Sequence, residues 1–133
     1  MPRPVAAVDL DGTIAQYDGW AGEDSIGDPF PGAIEFLLAL KQRGFNIVIF
    51  SARAGTELGI NAIWKWLQVH GLQQMVEEVT NVKQYRFSVM IDDRAITFTV
   101  AQDYAHLIDE ACGRVGLAER PVMASDQGIK SGG

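Results

Sequence analysis

Apolar residues fall along this chain in short unbroken runs that alternate with helical stripes. Val5-Ala6-Ala7-Val8 is apolar throughout and is followed by turn residues; it predicts a strand buried on both faces. Residues 14–30 carry Asp18-Gly19, Gly22, Gly27 and Pro29 and predict a loop or hairpin. Pro31 predicts the start of a helix, where its missing N–H costs nothing. Ile34, Leu37 and Leu38 set the inward face of that helix, and Gly44 ends it. Residues 45–50 predict a second buried strand. From about residue 56 to 70, Ile60, Ile63, Trp64 and Leu67 recur at i, i+3, i+4 and i+7 and predict an amphipathic helix, with Gly71 at C′. Three further strands are expected at Val76–Thr80, Phe87–Ile91 and 96–100. A third helix carries Tyr104, Leu107, Ile108 and Ala111 on one stripe. Beyond Arg120-Pro121 the chain turns polar and glycine-rich.

Strands that alternate with helices imply βαβ units. The expected fold is α/β: a three-layer α/β/α sandwich on a central, mostly parallel sheet. One domain is expected over residues 1–118, followed by a mobile C-terminal tail, 119–133. In such folds the active crevice lies at the carboxyl ends of the strands, near a switch in strand order.

The residues at those ends carry chemistry. The first strand runs into Asp9-Leu10-Asp11-Gly12-Thr13, the second into Ser51-Ala52-Arg53, and the fourth into Asp92-Asp93-Arg94. Lys83 lies in the connection entering the fourth strand. Each group has a plain structural reading by itself. Asp-Gly is a common turn pair, Ser after a strand is a common helix cap, an Asp-Asp pair is commonly solvated, and a lone lysine is commonly on the surface. Their conjunction favours a site, because each follows an apolar strand in an order that one parallel sheet brings to one rim.

Composition narrows the classes. Eleven Lys and Arg stand against 17 Asp and Glu, a formal charge of −6. Loose binding along nucleic acid needs a positive field, so non-specific nucleic-acid binding is not expected. A cation held among clustered acids remains compatible. The single cysteine, Cys112, excludes an internal disulfide and a cysteine zinc cluster. No stretch approaches the ~18 apolar residues of a membrane span, and the opening Met1-Pro2-Arg3-Pro4 is unlike a signal peptide. A cytoplasmic protein with no membrane association is the expectation.

With these residues in place, the chain resembles the haloacid dehalogenase superfamily of phosphohydrolases over about residues 4–100. Asp9-Leu10-Asp11-Gly12-Thr13 is similar to the first motif of that superfamily, Phe50-Ser51 to the second, Lys83 to the third, and Ile91-Asp92-Asp93 to the fourth. The resemblance implies a phosphatase. Asp9 is then the nucleophile that forms an aspartyl-phosphate, which splits one hard step into two. Asp11 is then the general acid on the leaving oxygen and the general base on water; an acid at this position favours phosphate-ester hydrolysis over ATPase or dehalogenase chemistry. The implied cofactor is Mg²⁺, held by Asp9, the backbone carbonyl of Asp11, and Asp92, with Asp93 beside or among the ligands. Ser51 and Lys83 are then the phosphoryl-binding hydroxyl and cation, Arg53 a contact to phosphate or leaving group, and Thr13 a brace for the loop. Trp20 is a candidate for the pocket entrance.

Family members differ mainly in cap domains inserted after the first or second motif. Here the first insertion point holds only residues 14–30, and the second holds one helix and a short connection, so no cap domain is expected. An open site suits a large phosphorylated substrate, such as a nucleic-acid end or a phosphoprotein, or a small molecule closed in by a neighbouring subunit. The alternative from another class is a non-catalytic or phospho-acceptor, receiver-like domain that binds phosphate without turning it over.

Overall fold

The computed structural model describes residues 2–99 and 104–117. Four short runs form the strands β1 (Val5–Val8), β2 (Asn46–Phe50), β3 (Val76–Thr80) and β4 (Phe87–Ile91). All pairings are parallel, in the order β3-β2-β1-β4. The central strand β1 is buried along its whole length, which accounts for a run with no polar residue. The helices are α1 (Ala33–Gln42), α2 (Glu57–Val69) and α3 (Tyr104–Val115). The fold is therefore the α/β class that the alternation predicts, with a parallel sheet of Rossmann-like order.

The steps from β1 to β2 and from β2 to β3 go the same way across the sheet. Right-handed crossovers then put α1 and α2 on the same face. Leu37, Ile63 and Leu67 pack there with Ala6, Val8, Ile47, Ile49 and Val79 in one buried cluster. The chain next returns past β1 to place β4 on its far side. The switch in strand order thus falls between β1 and β4, above Asp9 and Asp92.

The return from β3 to β4 is short. It must cross three strand spacings, about 14 Å, with only residues 81–86 between the strands. The segment holds no helix: it bends at residues 81–82 and ends in a turn, with the Phe87 N–H donating to the Gln84 carbonyl, 3.2 Å. Gln84 bonds to Glu78, and Arg86 pairs with Glu77 and Glu78 on β3. Lys83 and Tyr85 are exposed.

Two expectations need correction. Helix α1 buries Ala33 and Leu37 and packs Leu40 on the core, whereas Ile34 and Leu38 are exposed. The helix is apolar on several sides, so its periodicity does not define one face. Residues 96–99 form no strand; alternation of apolar and polar residues does not by itself make one. The chain also divides after Arg94 into two compact units. The second unit holds α3, with Phe98 stacked on Tyr104. The expected tail, 119–133, lies outside the described residues. Neither insertion point holds a cap: residues 14–30 contain no helix or strand, and residues 52–75 contain α2 flanked by two short 3-10 turns. Among the described residues no helix is long and apolar enough to cross a membrane.

Candidate active site

The first unit holds the site, beginning where β1 ends. The Asp9 N–H donates to the Ile91 carbonyl, 2.9 Å, and extends the β1–β4 pairing by one residue. The chain then folds back on itself, with the N–H groups of Thr13, Ile14 and Ala15 all donating to the Leu10 carbonyl. Gly12 turns this corner at φ +82°, and a Cβ there would lie 2.4 Å from Oδ2 of Asp93. Glycine is required both by the left-handed backbone and by the close approach of the second acidic loop. Thr13 ties the two loops together. Its hydroxyl donates to Oδ2 of Asp9, 3.3 Å, and accepts from the Asp93 N–H, 3.2 Å. The bracing role expected of Thr13 has this geometry.

Asp9, Asp92 and Asp93 converge so that one oxygen from each lies within 4.8 Å of the others. None of the three forms an ion pair among the described residues. Burial, and next the charge of Asp92, push the Asp9 carboxyl up from 3.8 to about 7; a hydrogen bond with Asp93 and its charge act the same way, against a backbone bond at Leu10. Like charges so close cannot all ionise cheaply without a cation. The donor set is oxygen only, the chemistry that suits a hard divalent ion such as Mg²⁺.

Asp11 points elsewhere. Its carboxylate accepts two bonds from Arg53, Nε to Oδ2 at 2.7 Å and Nη2 to Oδ1 at 2.9 Å. The Arg53 side chain is only 2% exposed. Its Nη1 donates to the carbonyls of Gly22 and Glu23, at 2.7 and 3.0 Å, and its guanidinium lies 4.9 Å from the centre of the Trp20 ring. One buried cation thus holds Asp11, the 14–30 loop and an indole together. The loop has further anchors. Trp66 Nε1 donates to the Gly27 carbonyl, 2.8 Å, and the Thr56 hydroxyl donates to Glu23. Arg53, expected to meet phosphate or leaving group, spends its donors on the protein itself.

Ser51 directly follows β2 and is buried, and its oxygen caps the next turn by accepting from the Arg53 N–H, 3.2 Å. The cap uses a lone pair and leaves the hydroxyl proton to donate. A cleft of about 510 Å³ opens at Asp9, Asp11, Ser51 and Asp92. Its walls include Tyr17, Trp20 and Phe50, with Asn81 and Arg94. The Arg94 N–H donates to Asp92, 2.7 Å, and its guanidinium forms no ion pair among the described residues.

The structure therefore brings together Asp9, Asp11, Thr13, Ser51, Arg53, Asp92 and Asp93, with Trp20 at the cleft. It does not bring Lys83 to them: the residue is exposed, is absent from the cleft wall and pairs with no acid among the described residues. Asn81, Tyr17 and the ring of Phe50 were not singled out from the sequence. Asn81 carried a usable signal, since it directly follows the end of β3 as Asp9 and Ser51 follow theirs.

Fold and site together define an α/β protein with an acidic, cation-compatible rim at its topological switch point. No protein-family model matches the chain, and no curated protein matches it. Among solved structures it is similar to a conserved protein from Bacteroides thetaiotaomicron, with a TM-score of 0.53 and 24% identity over 83% of this chain and 90% of that one. A likeness at this identity concerns the fold alone.

Proposed function

We propose that the protein is a Mg²⁺-dependent phosphatase that hydrolyses a phosphate monoester through an aspartyl-phosphate on Asp9. The observation that carries this reading is the convergence of Asp9, Asp92 and Asp93 within 4.8 Å beside Asp11 and Ser51 in one cleft. Asp9, Asp92 and Asp93 are the residues that would hold the cation; when bound, it offsets the negative charge of phosphate and carboxylates.

In the first step an Asp9 oxygen forms a bond to phosphorus. The ester P–O bond breaks, and its electron pair goes to the leaving oxygen, which takes a proton from Asp11. In the second step Asp11 takes a proton from water, whose oxygen bonds to phosphorus and releases Asp9. Inorganic phosphate and an alcohol result, and Asp11 regains its proton. Ser51 donates its hydroxyl to a phosphoryl oxygen. Arg94 is the cation available at the cleft. Lys83 serves there only if the crossing segment turns. The Arg53 fork fits the charged carboxylate, the form in which Asp11 acts as base; one Asp11 oxygen must leave the fork to carry the proton to the leaving group.

That requirement favours one rival. If the Asp11–Arg53 pair never opens, Asp9 accepts a phosphoryl group and keeps it, as a receiver-like domain does. Turnover of p-nitrophenyl phosphate separates the two. We expect multiple turnovers with Mg²⁺, loss with EDTA and recovery when Mg²⁺ is restored. Stoichiometric, stable labelling by acetyl phosphate without turnover favours the receiver, and full activity in chelated protein contradicts the cation.

A further inference from the structure

Resting on the phosphatase reading, we propose that the leaving group is a nucleoside, so that the substrate is a nucleotide phosphate monoester. The inference comes from the cleft wall, not from the acids. Tyr17, Trp20 and Phe50 line the same space as Asp9 and Asp11. Trp20 is 60% exposed yet fixed, because one ring face lies on the Arg53 guanidinium and that group is held by four hydrogen bonds. A large apolar ring held in solvent at a site mouth is a platform for a second flat ring.

The spacing selects the kind of ring. Asp11, which meets the leaving oxygen, and Trp20 both contact the one guanidinium. With one face on the guanidinium, Trp20 offers its other face, so a ring stacked there is separated from Asp11 by both the guanidinium and the indole. In an aryl phosphate such as phosphotyrosine the ring carries the ester oxygen directly and is too near. In a nucleotide the sugar supplies the spacer. A cleft of about 510 Å³ lies in the range of small-ligand sites. Asn81 on its wall offers both a donor and an acceptor to a base edge. The formal charge of −6 disfavours a long polyanion, so a free mononucleotide is the expected source of this chemistry, ahead of a phosphorylated strand end.

The test compares substrates on the whole chain with Mg²⁺. Nucleoside 5′- and 3′-monophosphates are set against ribose 5-phosphate, a phosphotyrosine peptide and a 5′-phosphorylated oligonucleotide. We expect kcat/KM for a nucleoside monophosphate to exceed that for ribose 5-phosphate by roughly 10- to 100-fold, the worth of one stacked base. That ratio should fall toward one in Trp20→Ala. A mononucleotide preferred over the oligonucleotide gives the free source, and the reverse gives the strand end; both keep the nucleoside. Equal rates on ribose 5-phosphate, or a preference for phosphotyrosine, overturn the proposal. If no ester at all is hydrolysed, the phosphatase reading fails, and binding decides this inference separately. Adenosine monophosphate should then quench the fluorescence of Trp20, read against Trp20→Phe, while ribose 5-phosphate leaves it unchanged; equal responses to the two overturn it.

Discussion

In the cation-free chain Asp9 keeps its proton to about pH 7, chiefly because burial and then the charge of Asp92 penalise the carboxylate. The unfolded chain releases the same proton near 3.8. Between those values the folded state binds more protons, so stability falls as pH rises. The contribution is complete below 3.8 and lost through about 7. In EDTA, Asp9→Asn should remove most of this slope and melt above the wild type at about pH 8, because it deletes a like charge, while abolishing turnover. Melting curves at several pH values check both halves. Arg53 makes a contrary case. Arg53→Ala leaves Asp11 and two backbone carbonyls without their partner and should cost about 3–5 kcal/mol. Arg53→Lys keeps the charge but cannot span the fork, so it should fold better yet still lose turnover; denaturant titration beside kinetics separates the effects. The acids were legible in the sequence because a parallel sheet puts every strand end on one rim. The Asp11–Arg53 pair was not, since 42 residues separate the partners and an Arg near a strand end does not state which acid it meets.

At the scale of elements, loops without regular structure are held by a few long-range bonds. The 14–30 loop depends on Arg53, Thr56 and Trp66. Trp66→Phe deletes the bond to the Gly27 carbonyl and should cost about 1–2 kcal/mol, with faster hydrogen exchange in that loop than in β1. Gly12→Ala forces a side chain into a left-handed backbone position against Asp93. It should destabilise by about 1–2 kcal/mol and weaken Mg²⁺ binding more than it changes the core; isothermal titration and melting read the two. Strand β1 was readable because burial along its whole length leaves no polar residue to confuse the pattern, whereas β3 carries Glu77 and Glu78 and gives a weaker signal. The inward face of α1 was not readable, because apolar residues at 34, 36, 37, 38 and 40 surround much of the helix. The exposure of Lys83 was not legible either, because it depends on a crossing segment that ties Gln84 and Arg86 to β3 and leaves Lys83 exposed.

For the whole molecule, a formal charge of −6 and three converging carboxylates mean that the proposed cation, once bound, would add to stability. A ligand at a hundred times its Kd adds about 2.7 kcal/mol, so Mg²⁺ should raise the wild-type Tm by several degrees and Asp92→Asn should lose most of that rise. The fold supplies the reason these acids meet: β4 returns beside β1, and the reversal of strand order places two acidic loops over one crevice. The proposed covalent step on Asp9 is tested most directly in Asp11→Asn. An activated ester such as p-nitrophenyl phosphate leaves without help from an acid, but the second step still needs a base to take a proton from water. Acid-quenched Asp11→Asn, incubated with Mg²⁺ and that ester, should therefore carry phosphate on Asp9 by peptide mass spectrometry, with a burst of one nitrophenol per chain. Phosphate on Asp92 or Asp93, or steady turnover by the wild type with no covalent phosphate in the variant, contradicts Asp9 as the nucleophile.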